Sequence, residues 1–257
     1  MDIDQKTWTE ELPERRVEGG CLILPRSHMM DRFRAECLQV TIPPRIAEGG
    51  TLTIQTGHIE ATPPPRHWLR GKPSVEVVPD GRWVVDMRDH APENFAHFLN
   101  DHLPLFFHLA ERTGLDWGSA LLLVRPDPPA HLTGLAAVFG LELWPTHAVV
   151  KGPGVSYDLS SWVPLRAFRT DWAGQDKPQT ALARAIADDD RPLPKKVFLS
   201  RRGTRTLENA SEVEAFLTAR GFQTVYAEDF PVSVQMRLYR EADEIVAIHG
   251  AGIAPMM

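Results

Sequence analysis

Three groups of residues in this chain combine the types and spacings that chemistry needs. The first is Asn94, His97, Asp101 and His108. On a helix, steps of three, four and seven residues place them on one face. Phe95, Phe98, Leu99, His102 and Phe106 fall on a second, largely apolar face, so packing alone does not demand the polar one. A histidine one turn from an aspartate is suited to be a general base, its tautomer fixed by the carboxylate. A helix that merely turns polar residues to solvent has the same pattern. Pro104 removes the bond to the Asn100 carbonyl and is expected to kink or end the helix there.

The second group is Ser200-Arg201-Arg202-Gly203-Thr204-Arg205, with three arginines in five residues just past an apolar run. Arginine offers a rigid fork of donors matched to phosphate oxygens. A solvated basic loop is the plainer reading of this stretch taken alone. The third group reverses that preference. His249-Gly250-Ala251-Gly252 has little side-chain bulk, so its backbone N–H groups can approach a ligand closely. If a helix follows, its N-terminus favours anions. Together the second and third groups suggest a cradle for a nucleotide diphosphate.

The elements that must position these groups are legible in outline. Cys37–Ile42, Thr51–Ile54, Val75–Val78 and Trp83–Asp86 read as strands separated by turn residues. From 93 to about 112 the period becomes helical. Ala120–Val124 reads as a buried strand, followed by a helix near 130–139 and a strand near 147–150. Gly, Pro, Asp and Trp crowd residues 151–194, which suggests an inter-domain linker with one helical patch at 178–188. From 195 the pattern is strand, helix, strand, helix, strand. Ser211 and Glu214 read as a capping box, Gly221 as the C′ glycine, and Glu244–Ile248 as a central parallel strand. Such a parallel, doubly wound unit binds ligands beyond the carboxyl ends of its strands. Ser200-Arg201-Arg202, Ala227-Glu228-Asp229 and His249-Gly250 all fall at those ends.

Composition narrows the function. The chain has 257 residues, 43% apolar and 24% charged, which is ordinary for a globular protein. A net charge of −6 gives no basic field for nucleic acid. Two cysteines, Cys21 and Cys37, make neither a disulfide framework nor a metal spacing. No apolar run is long enough for a membrane span, and the first residues lack the apolar stretch of a signal peptide, so a cytoplasmic protein is expected, free or peripheral to the inner membrane. The histidines make no His-Glu-x-x-His, and there is no G-x-S-x-G elbow or P-loop. Asp86-Met87-Arg88-Asp89 has the wrong spacing for a carboxylate metal pair, so no required metal is expected.

These motifs, in this order, resemble glycosyltransferase family 61, which includes capsular-polysaccharide enzymes, xylan-decorating transferases and O-linked N-acetylglucosaminyltransferases. Asn94, His97, Asp101 and Pro104 match the family's first signature; Ser200, Arg201, Arg205 and Asn209 its second; Glu228 and Gln235 its third; His249, Gly250, Ala251 and Gly252 its last. The resemblance covers roughly residues 90–254. It implies an α/β, GT-B-like fold of two Rossmann-like domains with parallel sheets. It also implies an inverting, metal-independent hexosyl- or pentosyltransferase with a nucleotide-sugar donor, such as a UDP-sugar, and a polysaccharide or glycan acceptor. His97 would be the base and Asp101 its orienter. Asn94, Ser200, Arg201, Arg205, Asn209, Glu228, His249, Gly250, Ala251 and Gly252 would bind substrate. No cofactor is implied. A non-catalytic nucleotide- or glycan-binding module on the same scaffold is the alternative.

The expected organisation is a leader at 1–36, an acceptor-side α/β domain at 37–175 and a nucleotide-sugar domain at 192–257. The chain ends at Met257, short of the helix that the glycine loop should open, so this last domain is expected to be incomplete.

Overall fold

The computed structural model describes residues 3–12, 15–17, 21–22, 39–40, 45–47, 50–64, 73–89, 92–160, 180, 183–184, 190–203, 206–248 and 250–256. The fold is mixed α/β with parallel strands in both of its larger sheets. The strands in chain order are β1 (Lys6–Leu12), β2 (Arg15–Val17), β3 (Cys21–Leu22), β4 (Gln39–Val40), β5 (Arg45–Ala47), β6 (Gly50–Ala61), β7 (Val75–Val77), β8 (Trp83–Asp86), β9 (Ala120–Val124), β10 (Glu142–Pro145), β11 (Val149–Leu159), β12 (Lys196–Ser200), β13 (Gln223–Tyr226) and β14 (Glu244–Ala247). β2 pairs with β5 and β3 with β4 as small antiparallel ribbons.

The first large sheet runs β1-β6-β11-β8-β9-β10, with β7 also paired to β11. β8, β9 and β10 are mutually parallel. Every residue of β9 is buried, because a central parallel strand is covered on both faces and so reads as an unbroken apolar run. Two sequence expectations change here. Residues 6–12 were expected in a loose leader, but they form β1 along β6, pairing Trp8 with Ile54. Trp8 and Leu12 pack on the core from one side of this otherwise polar strand. Residues 151–159 were expected in a linker, yet they continue β11 along β6 as far as Leu159. Their glycines are packing devices here, since a Cβ on Gly154 would lie 2.8 Å from Ile59 Cγ1.

The second sheet runs β13-β12-β14, all parallel, with α4 (Ala210–Thr218) and α5 (Val232–Glu241) as the crossovers. This is the strand–helix alternation expected from the sequence. Gly221 takes φ 85° just past α4, a backbone region that glycine enters without penalty. The capping box does not form: Asn209, not Ser211, is the N-cap, and Glu214 turns to Ser200 and Tyr226 instead.

Between the sheets' strands lie α1 (Phe95–His97), a π-helical turn (Phe98–His102), α2 (Leu103–Thr113) and α3 (Ala130–Val138). Pro104 neither ends nor breaks this helical run. It sits in the first turn of α2, where its missing N–H matters least, and the wider π turn lies immediately before it.

Helix α5 and the last described turn join the first sheet's core, while β12, β13 and β14 sit on clusters of their own. Phe95, Phe98, Leu99 and Leu132 cluster with Val232, Met236 and Ala254. α3 packs on α5 so closely that a Cβ on Gly134 would fall 2.8 Å from Val232 Cγ2. Gly134→Val should therefore overpack this contact and lower stability by about 1–3 kcal/mol, read as an earlier urea midpoint. An unchanged midpoint would mean the helices are not held together there.

Candidate functional site

The polar face of α1 and the π turn begins at Asn94. Its Oδ1 accepts from the backbone N–H of Ala96 at 2.9 Å and of His97 at 3.3 Å, so this residue caps the helix. His97 Nδ1 lies 2.8 Å from Asp101 Oδ2. A carboxylate accepts only, so Nδ1 donates and the lone pair is left on Nε2. Asp101 is 0% exposed, whereas 29% of the His97 side chain reaches solvent. The pair is thus anchored at one end and open at the other. His108 does not join it: its Nε2 is 3.0 Å from Glu10 on β1. The five-residue π turn between the two histidines changes the angular step, which a uniform helical period does not anticipate.

The chain's last described segment comes to this same helix. β14 leads through Gly250 into a 3₁₀ turn (Ala251–Met256) that packs on α1 and on the π turn. Asn100 Nδ2 donates to the Ala254 carbonyl at 3.4 Å, and the Tyr239 hydroxyl donates to the carbonyl of Gly252. Burial pushes the Tyr239 phenol up from its ordinary value, so it stays a donor.

Arg201 follows β12, and β12 neighbours β14, so their carboxyl ends are adjacent. There the Arg201 guanidinium lies directly against buried Gly250, and a Cβ at that position would stand 2.8 Å from Arg201 Cζ. Only glycine lets backbone and guanidinium meet this closely. Arg202 faces away from this point. It grips Asp229 through Nη1 at 2.5 Å and Nη2 at 2.9 Å, and its guanidinium lies 3.8 Å above the Tyr226 ring. The hydrogen bond from Arg202 holds the Asp229 carboxyl below its ordinary value. Glu228, on the 3₁₀ turn after β13, lies 3.9 Å from Arg202.

Ser200 is buried, with its Oγ donating to Glu214 Oε1 at 3.2 Å; Tyr226 donates to the same oxygen at 3.1 Å. Asn209 is the N-cap residue of α4 and makes no side-chain capping bond. Gln235 is buried and donates to the Phe230 carbonyl at 3.0 Å, bracing the entry to α5. Arg205 and His249 lie outside the described residues. The expected residues thus form two described clusters, Asn94/His97/Asp101 and Arg201/Gly250, linked by the terminal turn. Ser200 directly precedes Arg201, whereas Glu228 lies with Arg202 on the β13 side, apart from the second cluster. Sequence reasoning missed Asn100 and Tyr239, whose partners are main-chain carbonyls that carry no residue signature.

Among the described residues, no cluster of three His, Cys, Asp or Glu side chains is arranged to hold a metal ion, and no helix is long and apolar enough to cross a membrane.

The fold and its two clusters define a mixed α/β protein in which an arginine and a glycine turn meet at adjacent strand ends, and the turn that follows packs on a helix carrying a His–Asp pair. A sequence profile of the family described as Glycosyltransferase 61 matches residues 95–257, which include every one of these groups except Asn94. The chain belongs to glycosyltransferase family 61. The comparison with curated proteins gave no match.

Proposed function

We propose that the protein is an inverting glycosyltransferase that moves a sugar from a nucleoside-diphosphate donor to a hydroxyl of a glycan acceptor. The donor binds the Rossmann-like unit of β12, β13 and β14, and the acceptor lies on the side of the first sheet, as in a GT-B arrangement. The observation that carries this reading is the contact of the Arg201 guanidinium with Gly250 beside the helix of His97 and Asp101.

In this reading His97 Nε2 takes the proton of the acceptor hydroxyl as its oxygen attacks the anomeric carbon. Asp101 holds the imidazole in the required tautomer and faces the charge that forms on it. The bond from the anomeric carbon to the donor's phosphate oxygen breaks on the opposite side, which inverts the configuration. The departing diphosphate carries away the electron pair. Arg201 and the N–H groups around Gly250, Ala251 and Gly252 are fixed donors of the kind that stabilise such a leaving group without a metal.

Calorimetric titration with UDP, GDP and ADP in the presence of EDTA tests the proposal. At least one should bind, and the same nucleotide should inhibit sugar transfer competitively with the donor. Failure of all three to bind would sink the donor assignment. Binding that needs a divalent cation would sink its metal-independent form.

A further inference from the structure

An inverting displacement makes a strict geometric demand. The attacking oxygen and the departing phosphate must stand on opposite sides of one carbon, so the base and the diphosphate site need a fixed separation. Here the two come from segments far apart in sequence. His97 and Asp101 lie on α1 and the π turn, whereas Gly250 lies just past β14. Something must hold the one segment against the other.

The turn Ala251–Met256 is the physical link. It starts beside Gly250, against the Arg201 guanidinium. Ile253 N donates to Gly250 O at 3.1 Å and Pro255 fixes one backbone angle, so the turn moves as a unit. At the 3₁₀ rise of about 2.0 Å per residue, Gly250 and Ala254 stand about 8 Å apart along it. Tyr239 on α5 holds this turn from one side, through the Gly252 carbonyl. On the other side Ala254 is fully buried and clusters with Phe95, Phe98 and Leu99, from the same helical stretch as His97.

A polar bond crosses from this turn to the base. Asn100 Nδ2 donates to Ala254 O at 3.4 Å, and because a carbonyl only accepts, the orientation of the amide is set. Asn100 is 2% exposed, so bulk water does not compete for the pair. The next residue, Asp101, is wholly buried and holds His97 Nδ1 at 2.8 Å. Neighbours on one five-residue π turn thus reach in two directions, Asn100 to the glycine turn and Asp101 to the imidazole. The cluster around Ala254 is apolar, so burial alone gives no reason for an amide here. Apolar contact is non-directional and lets two segments slide, whereas a hydrogen bond selects one register.

We propose that Asn100 is a positioning residue for sugar transfer: its bond to Ala254 sets the spacing between the base, His97, and the diphosphate site at Arg201 and Gly250. The assignment rests on the glycosyltransferase reading above. Asn100 belongs to neither cluster, yet it joins them, so a nucleotide bound at one is felt at the other.

Amide hydrogen exchange on the full chain tests it, with whichever of UDP, GDP and ADP binds. In the parent, bound nucleotide should slow exchange in 250–256 and in 98–102 as well. Asn100→Leu removes the donor and nearly keeps the volume. It should bind the nucleotide within twofold of the parent and keep the protection at 250–256, but lose that at 98–102. Its kcat for sugar transfer should fall about tenfold to a hundredfold, the scale of a misplacement near 1 Å. In a His97→Ala background the same change should cost nothing further, because it acts through the base, whereas a merely structural loss would add. The inference is overturned if bound nucleotide leaves 98–102 unchanged in the parent, a measurement that needs no variant to fold. It is overturned equally if Asn100→Leu keeps the protection there, or if its loss of rate adds to that of His97→Ala. If none of the three nucleotides binds the parent, the donor assignment falls and takes this inference with it; if one binds, only the inference is at stake, so the two failures separate.

Discussion

His97→Ala should lower the rate of sugar transfer by about 10²–10⁴-fold, the span that a positioned general base contributes. Nucleoside-diphosphate affinity should stay at the parental value, because in the proposed mechanism the base touches the acceptor and not the leaving group. The side chain is partly open to solvent and its Nδ1 is already engaged, so its removal leaves a small surface vacancy rather than a hole in the core. Asp101 requires more care, because it is wholly buried beneath the imidazole. Asp101→Asn keeps its shape but presents an amide where a carboxylate stood. The imidazole can then be held with Nδ1 as acceptor and Nε2 protonated, which is the wrong tautomer for a base. This variant should fold with a modestly lowered thermal midpoint and should be impaired to a similar degree as His97→Ala. The double variant should be no worse than the worse single one, since both changes remove the same device. Transfer within twofold of the parent in His97→Ala would place the base elsewhere.

The His–Asp pair was legible because it is local: four residues on one helical stretch must meet whatever the rest of the chain does. The meeting of Arg201 with Gly250 was legible for a different reason. Both follow apolar strand runs, and in a parallel sheet all carboxyl ends face the same side, so residues about 50 apart in sequence become neighbours. What failed were patterns with an invisible competing partner. His108 has the right spacing to join the polar face, but the π turn shifts its direction and Glu10, 98 residues earlier, claims it. Ser211 and Glu214 spell a capping box, yet Glu214 serves two hydroxyls on β12 and β13. A local motif worth about a kilocalorie is easily overruled when a buried hydroxyl needs an acceptor. β1 escaped notice because only Trp8 and Leu12 touch the core and the rest of the strand is lysine, threonine and glutamate. The meeting of Glu60, Asp86 and Ser156 around one cleft was beyond reach as well: they are distant in sequence, and only the register of β6 and β8 against β11 gathers them.

Gly250→Ala is the sharpest test of the donor side, because it adds one methyl group and removes nothing. The new Cβ would collide with the end of a long, flexible side chain, not with the backbone, so Arg201 can swing aside and the fold should survive with little change in thermal midpoint. The displaced guanidinium is no longer where a diphosphate oxygen can meet it together with the neighbouring N–H groups. A hydrogen bond to a charged group is worth about 1.5–3 kcal/mol, so affinity for the bound nucleotide should fall about tenfold to a hundredfold. Arg201→Ala should cost a similar amount by taking away the same contact directly. The combination decides the mechanism. If the alanine at 250 acts by evicting Arg201, then in an Arg201→Ala background it has nothing left to evict, and the double variant should bind like Arg201→Ala alone. Losses that simply add would mean that Gly250 serves the ligand through its own backbone and independently of the arginine. The close packing of the two would then be structural, and the diphosphate would lose its principal cation.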